Sequence, residues 1–195
     1  SFMSTKKQPS KGSLSVWDER MSYSMFSWYR DTIGSKVPLL LLEYTGHGVP
    51  WFVVGLWFLF SSSSDSRVQN MALNFLFGLV TDLVWICMIK PVARRSRPSW
   101  NKGDQIISVQ AVDKFSFPSG HTTRSMFIAV FSGAQFSAAP VWAAAVGVSR
   151  VFLGRHHVLD VVAGVVIGAL NAYLVNYFWL PTELAHTVRA FVGRS

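Results

Sequence analysis

Residues 68–89 read VQNMALNFLFGLVTDLVWICMI, a mostly apolar run of 22 residues. At about 1.5 Å per residue, such a helix reaches roughly 33 Å, enough to cross a hydrocarbon core of about 30 Å. Three more apolar stretches surround it. Residues 37–60 are interrupted by Glu43, Gly46, His47, Gly48 and Pro50, which predicts a short helix, a break and a span from 49 to about 62. Residues 122–138 and 141–153 meet at Pro140, which suits the first turn of a helix, so the two blocks predict a tight hairpin. Residues 158–180 form a last span, with Tyr177 and Trp179 suited to an interfacial belt. Backbone groups in lipid must be satisfied internally, and no alternating ten-residue strand pattern occurs. The expectation is therefore an all-α, polytopic membrane helical bundle with about five crossings.

Composition points the same way. Of 195 residues half are apolar and 14% are charged, against about 25% in soluble domains. Residues 1–13 are polar and basic and are expected to be disordered. Residues 14–36 predict an amphipathic helix lying in the membrane interface. Ser15 and Asp18 resemble a capping box, Trp17, Met21, Met25 and Trp28 recur at helical spacing, and Asp18, Arg20 and Arg30 lie on other faces. Residues 37–195 then form the integral-membrane domain. The formal charge is +8, and Cys87 is the single cysteine, so a disulfide within the chain is excluded. Five crossings put residues 1–36, the 90–117 loop and the 150–156 turn on one face, with 15 of the 18 Lys and Arg residues in or beside them. The positive-inside rule makes that face cytosolic.

Three short segments on that face carry the chemistry. The first holds Lys90, Arg97 and Pro98; seven residues apart, Lys90 and Arg97 share a face if the turn stays helical. Cations gathered at the membrane surface suit an anion, whether lipid headgroup or substrate. The second reads Pro118, Ser119, Gly120, His121. A helix beginning directly after it would offer free N–H groups and the Ser119 hydroxyl to phosphate oxygens, Gly120 would allow close approach, and His121 suits proton transfer near neutral pH. The third holds Ser149, Arg150, His156 and Asp160. His156 and Asp160, four apart, are expected to share a helix face, with the carboxylate fixing the imidazole tautomer and leaving the other nitrogen nucleophilic.

Taken together, Lys-x6-Arg-Pro, Pro-Ser-Gly-His and Ser-Arg-x5-His-x3-Asp resemble the type 2 phosphatidic acid phosphatase superfamily over roughly residues 90–160. Residues 42–51 (LEYTGHGVPW) and 112–116 (VDKFS) are similar to its polyisoprenoid diphosphate phosphatase branch, which includes presqualene diphosphate phosphatase. The resemblance implies a lipid phosphate or diphosphate phosphohydrolase. In it His156 attacks phosphorus to form a phosphohistidine, Asp160 orients it, and His121 protonates the leaving oxygen. Lys90, Arg97, Ser119, Gly120 and Arg150 hold the phosphoryl oxygens. No metal or other cofactor is implied. The partners are a lipid substrate and membrane lipids, not nucleic acid, and the implied residence is the endoplasmic reticulum and nuclear envelope. The family's site usually faces the lumen or exterior, opposite to the charge-based assignment. Other substrates of the same chemistry are phosphatidate, lysophosphatidate and sphingoid phosphates. A non-catalytic lipid-binding scaffold is the alternative of another class, and the intact histidines argue against it.

Several residues stand outside the motifs. Asp82, inside a span, is expected to pair with another helix. Glu43 and His47 could cap broken helices or line a lipid entrance. Arg94, Arg95 and Arg155 suit either headgroups or a second phosphate. Gly164 and Gly168 form a small-xxx-small pair that fits internal packing or dimerisation equally. His157 and Cys87 read as structural.

Overall fold

The structure, a computed structural model, describes residues 12–61, 65–103, 114–133 and 136–192. Residues 1–11 of the expected disordered stretch lie outside the described residues, as do 62–64, 104–113 (with Val112 and Asp113) and 134–135. Among the described residues every regular element is a helix: α1 (Ser13–Thr32), α2 (Val37–Thr45), α3 (Gly48–Phe60), α4 (Ser66–Ala93), α5 (Gly120–Ser132), α6 (Ala139–Phe152), α7 (Val158–Tyr177) and α8 (Thr182–Val192).

The break expected near Gly46 divides α2 from α3 with a bend of 42°. His47 caps α3, its Nδ1 accepting from Val49 N at 3.3 Å. Asp65 caps α4 in the same way, accepting from Val68 N at 2.8 Å. Pro140 falls in the first turn of α6, where a missing N–H breaks no helical bond. α4 and α7 are long and apolar enough to cross a membrane, and the bent α2–α3 pair qualifies as a third span. The hairpin partners α5 and α6 have 13 and 14 residues. At about 1.5 Å per residue each covers roughly 20 Å, so this hairpin is shorter than two full crossings. The chain is thus an all-α polytopic membrane bundle built from three span-length segments and a short hairpin.

The core centres on Leu79, Phe127, Ile128, Ala172 and Val175, with Phe75 stacked on Phe127. α5 packs most extensively on α7. Gly164 and Gly168 make that approach possible: a Cβ at Gly168 would lie 2.2 Å from the Thr123 carbonyl oxygen, and one at Gly164 would lie 3.0 Å from that of Ser119. The small-xxx-small pair therefore serves packing within the chain. Asp82 on α4 meets Arg124 on α5 at 3.0 Å, a buried pair that satisfies the expected intramembrane carboxylate. α8 was not expected from the sequence; its Ala185 is buried against Leu59 and Ala72.

α1 departs from expectation. It begins at Ser13, and its N-cap, Gly12, has no side-chain cap, so Ser15 and Asp18 form no capping box. Asp18, Ser22, Phe26 and Tyr29 face the bundle, whereas Leu14, Trp17, Met21 and Trp28 are exposed. Phe26 packs on Trp100, and Tyr29 stacks on Phe152 at 4.8 Å.

Candidate active site

The three motif segments converge where α4 ends, α5 begins and α6 turns into α7. α4 continues through Pro91 to Ala93 and is closed by Arg94 in the left-handed region (φ 46°). Arg97 therefore lies beyond the helix, and the seven-residue helical spacing with Lys90 does not apply. Loop contacts hold the two instead. Lys90, buried in the last turn of α4, donates from Nζ to the Phe115 carbonyl at 2.7 Å, and Arg97 Nη1 donates to the Arg155 carbonyl at 3.3 Å.

Residues 114–119 cross this surface between α4 and α7. Ser116 is buried; its N–H donates to the Arg95 carbonyl at 2.9 Å and its hydroxyl to that of Ser96 at 3.0 Å. The Ser119 N–H donates to the Asp160 carbonyl at 3.1 Å, which ties the second motif to the third. α5 starts at Gly120, within the motif rather than after it, so Gly120 and His121 lie in its first turn. Ser119 Oγ accepts from Thr122 Oγ1 at 2.9 Å and makes no cap bond, so its own proton remains for an acceptor. A Cβ at Gly120 would meet nothing closer than Ile86 at 3.9 Å, so packing within the protein does not require glycine there. His121, in the first turn, faces His47 with ring centroids 5.8 Å apart, and its buried Nε2 has no hydrogen-bond partner. Buried polar atoms are nearly always paired, so this nitrogen calls for an explanation.

The third segment turns sharply after α6. The N–H groups of Arg155 and His156 both donate to the Arg150 carbonyl, at 2.9 and 3.2 Å, and Gly154 has φ +71°, a conformation that disfavours side chains. A Cβ there would also lie 2.8 Å from Trp100. α7 begins at Val158, so His156 precedes the helix and its four-residue spacing from Asp160 does not bring them into hydrogen-bond contact. Nδ1 of His156 lies 3.7 Å from Asp160 Oδ2 and 2.8 Å from the Ser116 carbonyl. A carbonyl can only accept, so Nδ1 carries the proton and Nε2 the lone pair. The Ser116 carbonyl, rather than the expected carboxylate, thus fixes the tautomer. Burial, with the Arg97 and Arg150 guanidiniums adding to it, pushes the imidazole down to about 3 against the opposing pull of Asp160. His156 is therefore neutral at physiological pH.

Asp160 has other work. Its Oδ2 accepts from the His157 N–H at 2.8 Å, closing the first turn of α7, and its Oδ1 accepts from Arg95 Nη1 at 2.7 Å. His157 is the N-cap, in keeping with its structural reading. Arg95 forks onto a second carboxylate, Asp18 of α1. Arg155 contacts Glu43 and Asn101, and Arg94 donates to the Pro91 carbonyl. The three arginines considered for a second phosphate are thus engaged with protein groups. Arg150, fully buried, pairs with Glu43 at 3.0 Å. Sequence reasoning did not find Ser116, whose contribution is a backbone atom, or the roles of Glu43 and Asp18, whose partners are remote in the chain.

An apolar cavity of about 740 Å³ lies between α3, α4, α5 and α6, lined by the ends of α4, α5 and α6 remote from the motif segments. Thr45 lines it together with Trp51 and Trp142, whose indole N–H groups donate to Thr45 at 2.6 and 3.0 Å. Thr45 stands two residues from His47, which faces His121, and no residue of the three motifs lines the cavity.

A buried neutral imidazole with a free Nε2, beside arginines and an orphan histidine at a helix N-terminus, is equipped for phosphoryl transfer. Residues 71–182 match the PAP2 superfamily, and the chain belongs to it. It is 34% identical to the probable lipid phosphate phosphatase beta of Arabidopsis thaliana, an alignment covering 72% of this chain and 78% of that protein. It is 29% identical to the lipid A 4'-phosphatase of Porphyromonas gingivalis over 67% of this chain and 61% of the other. A similar solved structure is the transmembrane PAP2-type phosphatidylglycerolphosphate phosphatase from Bacillus subtilis. It has a TM-score of 0.64 and 25% identity, covering 86% of this chain and 87% of that one. The chain is accordingly an integral-membrane phosphatase, a phosphoric ester hydrolase.

Proposed function

We propose that this protein is a metal-independent lipid phosphatase that works through a phosphohistidine on His156, with a polyisoprenoid diphosphate such as presqualene or farnesyl diphosphate as substrate. The observation that carries the reading is the Nδ1–H bond from His156 to the Ser116 carbonyl, which leaves Nε2 as a nucleophile among cations. Nε2 attacks the terminal phosphorus; a P–N bond forms and the bond to the leaving oxygen breaks. His121 gives its proton to that oxygen. Lys90, Arg97, Arg150, the Ser119 hydroxyl and the Gly120 amide hold the three phosphoryl oxygens. Water, deprotonated by His121, then attacks the phosphohistidine, releasing inorganic phosphate and the neutral imidazole. Asp160 acts on the geometry of this turn through His157 N and Arg95, and on His156 as a charge 3.7 Å away rather than by the tautomer-fixing hydrogen bond.

The cavity supports a lipid tail, because it is almost wholly apolar and Thr45 in its lining stands two residues from His47, which faces His121. The diphosphate assignment rests on the resemblance of residues 42–51 and 112–116. A monophosphate substrate such as phosphatidate, lysophosphatidate or a sphingoid phosphate is favoured by one observation: Arg94, Arg95 and Arg155 are already engaged. α1 fits a helix seated in the membrane interface, its exposed Trp17, Met21 and Trp28 turned away from the bundle. The endoplasmic reticulum and nuclear envelope, with the site facing the cytosol, complete the reading; the basic residues on the site face support that orientation.

Purified protein in detergent with EDTA, offered each of these lipids, tests the proposal by phosphate release. Full activity in His156→Ala, or complete loss in the chelator, overturns the mechanism; release from no lipid leaves the scaffold reading. A single labelling cysteine beside Lys102, in a Cys87→Ser background, tests orientation, and labelling only from the lumenal side reverses it.

A further inference from the structure

The first turn of α7 is held from outside the three motifs, by a helix some 140 residues upstream. A helix N-terminus leaves N–H donors without intrahelical partners. Here the Leu159 N–H donates to Asp18 Oδ1 at 3.0 Å, and the Val158 N–H donates to Ser22 Oγ at 2.9 Å. The Ser22 hydroxyl in turn donates to the Asp18 carbonyl at 2.6 Å. Asp18 is fully buried, and its second oxygen takes Nη2 of Arg95, whose Nη1 is on Asp160. One carboxylate therefore grips both the backbone that carries Asp160 and the cation that carries its charge.

We propose that Asp18 is a positioning residue for the phosphatase: acting through Arg95 and the first turn of α7, it sets where Asp160, and with it the His156 turn, stands. The inference rests on the His156 reading above. Arg95 faces two carboxylates drawn from different helices. Without Asp18 it answers to Asp160 alone and follows that side chain wherever it moves, and α7 keeps only the Ser22 bond to α1. A buried carboxylate that only filled space would need neither bond. Asp18 touches no motif side chain other than through Arg95, so its effect belongs in the turnover step rather than in substrate binding.

Asp18→Asn keeps an oxygen to accept from Leu159 N and removes the charge that holds Arg95. The expected result is a kcat lower by roughly ten- to a hundredfold, by analogy with the loss of carboxylates that orient metal-ligating histidines, with KM changed less than about threefold and Asp18→Glu recovering part of the loss. Unchanged kcat in a folded Asp18→Asn protein overturns the proposal. The double variant Asp18→Asn with Arg95→Gln removes both charges of the Asp18–Arg95 pair together and is compared with Arg95→Gln, in which Asp160 has likewise lost its cation and keeps its bond from the His157 N–H. Its kcat should equal that of Arg95→Gln alone, because a residue acting through Arg95 has nothing further to lose. A double variant well below Arg95→Gln overturns the route through Arg95. His156→Ala is assayed alongside. If it retains activity, the phosphohistidine reading fails. If it is inactive while Asp18→Asn is fully active, only the role of Asp18 fails.

Discussion

Acid should leave His156 unprotonated far below the pH at which an ordinary imidazole charges. Burial, then Arg97 and Arg150, bring it from 6.5 to about 3, which corresponds to roughly 5 kcal/mol in favour of the neutral ring. At pH 5 an unperturbed imidazole is about 3% neutral and His156 nearly all neutral, a difference of about thirtyfold in available nucleophile. The direct assay is an NMR titration of imidazole-labelled protein in detergent. The chain has five histidines, and the His156→Asn variant identifies the resonance that belongs to this one. That resonance should stay at its neutral position down to pH 4. The same displacement has a stability consequence. Between pH 6.5 and 3 the unfolded chain binds a proton that the folded chain refuses, so stability falls as pH drops through that window, by about 2 kcal/mol at pH 5. His156→Asn should lack that component of acid destabilisation in thermal unfolding. A resonance absent from His156→Asn that titrates near 6.5 in the native protein refutes the assignment of a buried, cation-flanked nucleophile.

Four further outcomes follow from the geometry. His121→Asn should slow hydrolysis of lipid esters far more than that of an aryl phosphate, whose leaving group needs no proton; equal losses on both would argue against a proton donor at this position. Gly168→Ala forces a methyl group to within 2.2 Å of the Thr123 carbonyl and should lower thermal stability by about 1–3 kcal/mol, with an unchanged melting temperature as the contrary result. Arg124→Met alone leaves Asp82 unpaired in the bundle and should cost about 3–5 kcal/mol, whereas Arg124→Met with Asp82→Leu should recover most of it in the same denaturation assay. Glu43→Gln frees Arg150 and Arg155 from a competing carboxylate, so vanadate should inhibit at severalfold lower concentration while the protein becomes less heat-stable; weaker vanadate inhibition would mean that Glu43 chiefly aims the arginines.

What the sequence disclosed follows from range. Apolar length and helix-breaking residues are local, so the span at 68–89, the break at Gly46 and the opening of α6 at Pro140 could all be read directly. The motif segments could be placed on one face because crossing order does that without any knowledge of contacts. Spacing arguments failed where the backbone left the helix. Lys90 and Arg97 share a face only if the turn stays helical, and α4 ends between them at Arg94. His156 and Asp160 were assigned a direct bond, but α7 starts after His156. The tautomer is set by the Ser116 carbonyl, a backbone atom whose position no side-chain pattern announces. Asp18 was read as a cap on its own helix because a carboxylate three residues after a serine is the local signal, whereas its partners lie 77 and 141 residues away.

The remote carboxylates also explain how so basic a site can exist before substrate arrives. Arg97, Arg150 and Arg155 act on one another electrostatically, Lys90 and Arg95 meet the backbone of residues 115–116 beside them, and unopposed cations so placed would repel strongly. Asp18, Glu43 and Asp160 oppose three of these charges, and His156, being neutral, adds none. The motifs supply most of the cations and one carboxylate. The other two carboxylates come from α1 and α2, outside every motif, and they fix guanidiniums in place before any phosphoryl group enters, so that little reorganisation is left for the reaction itself.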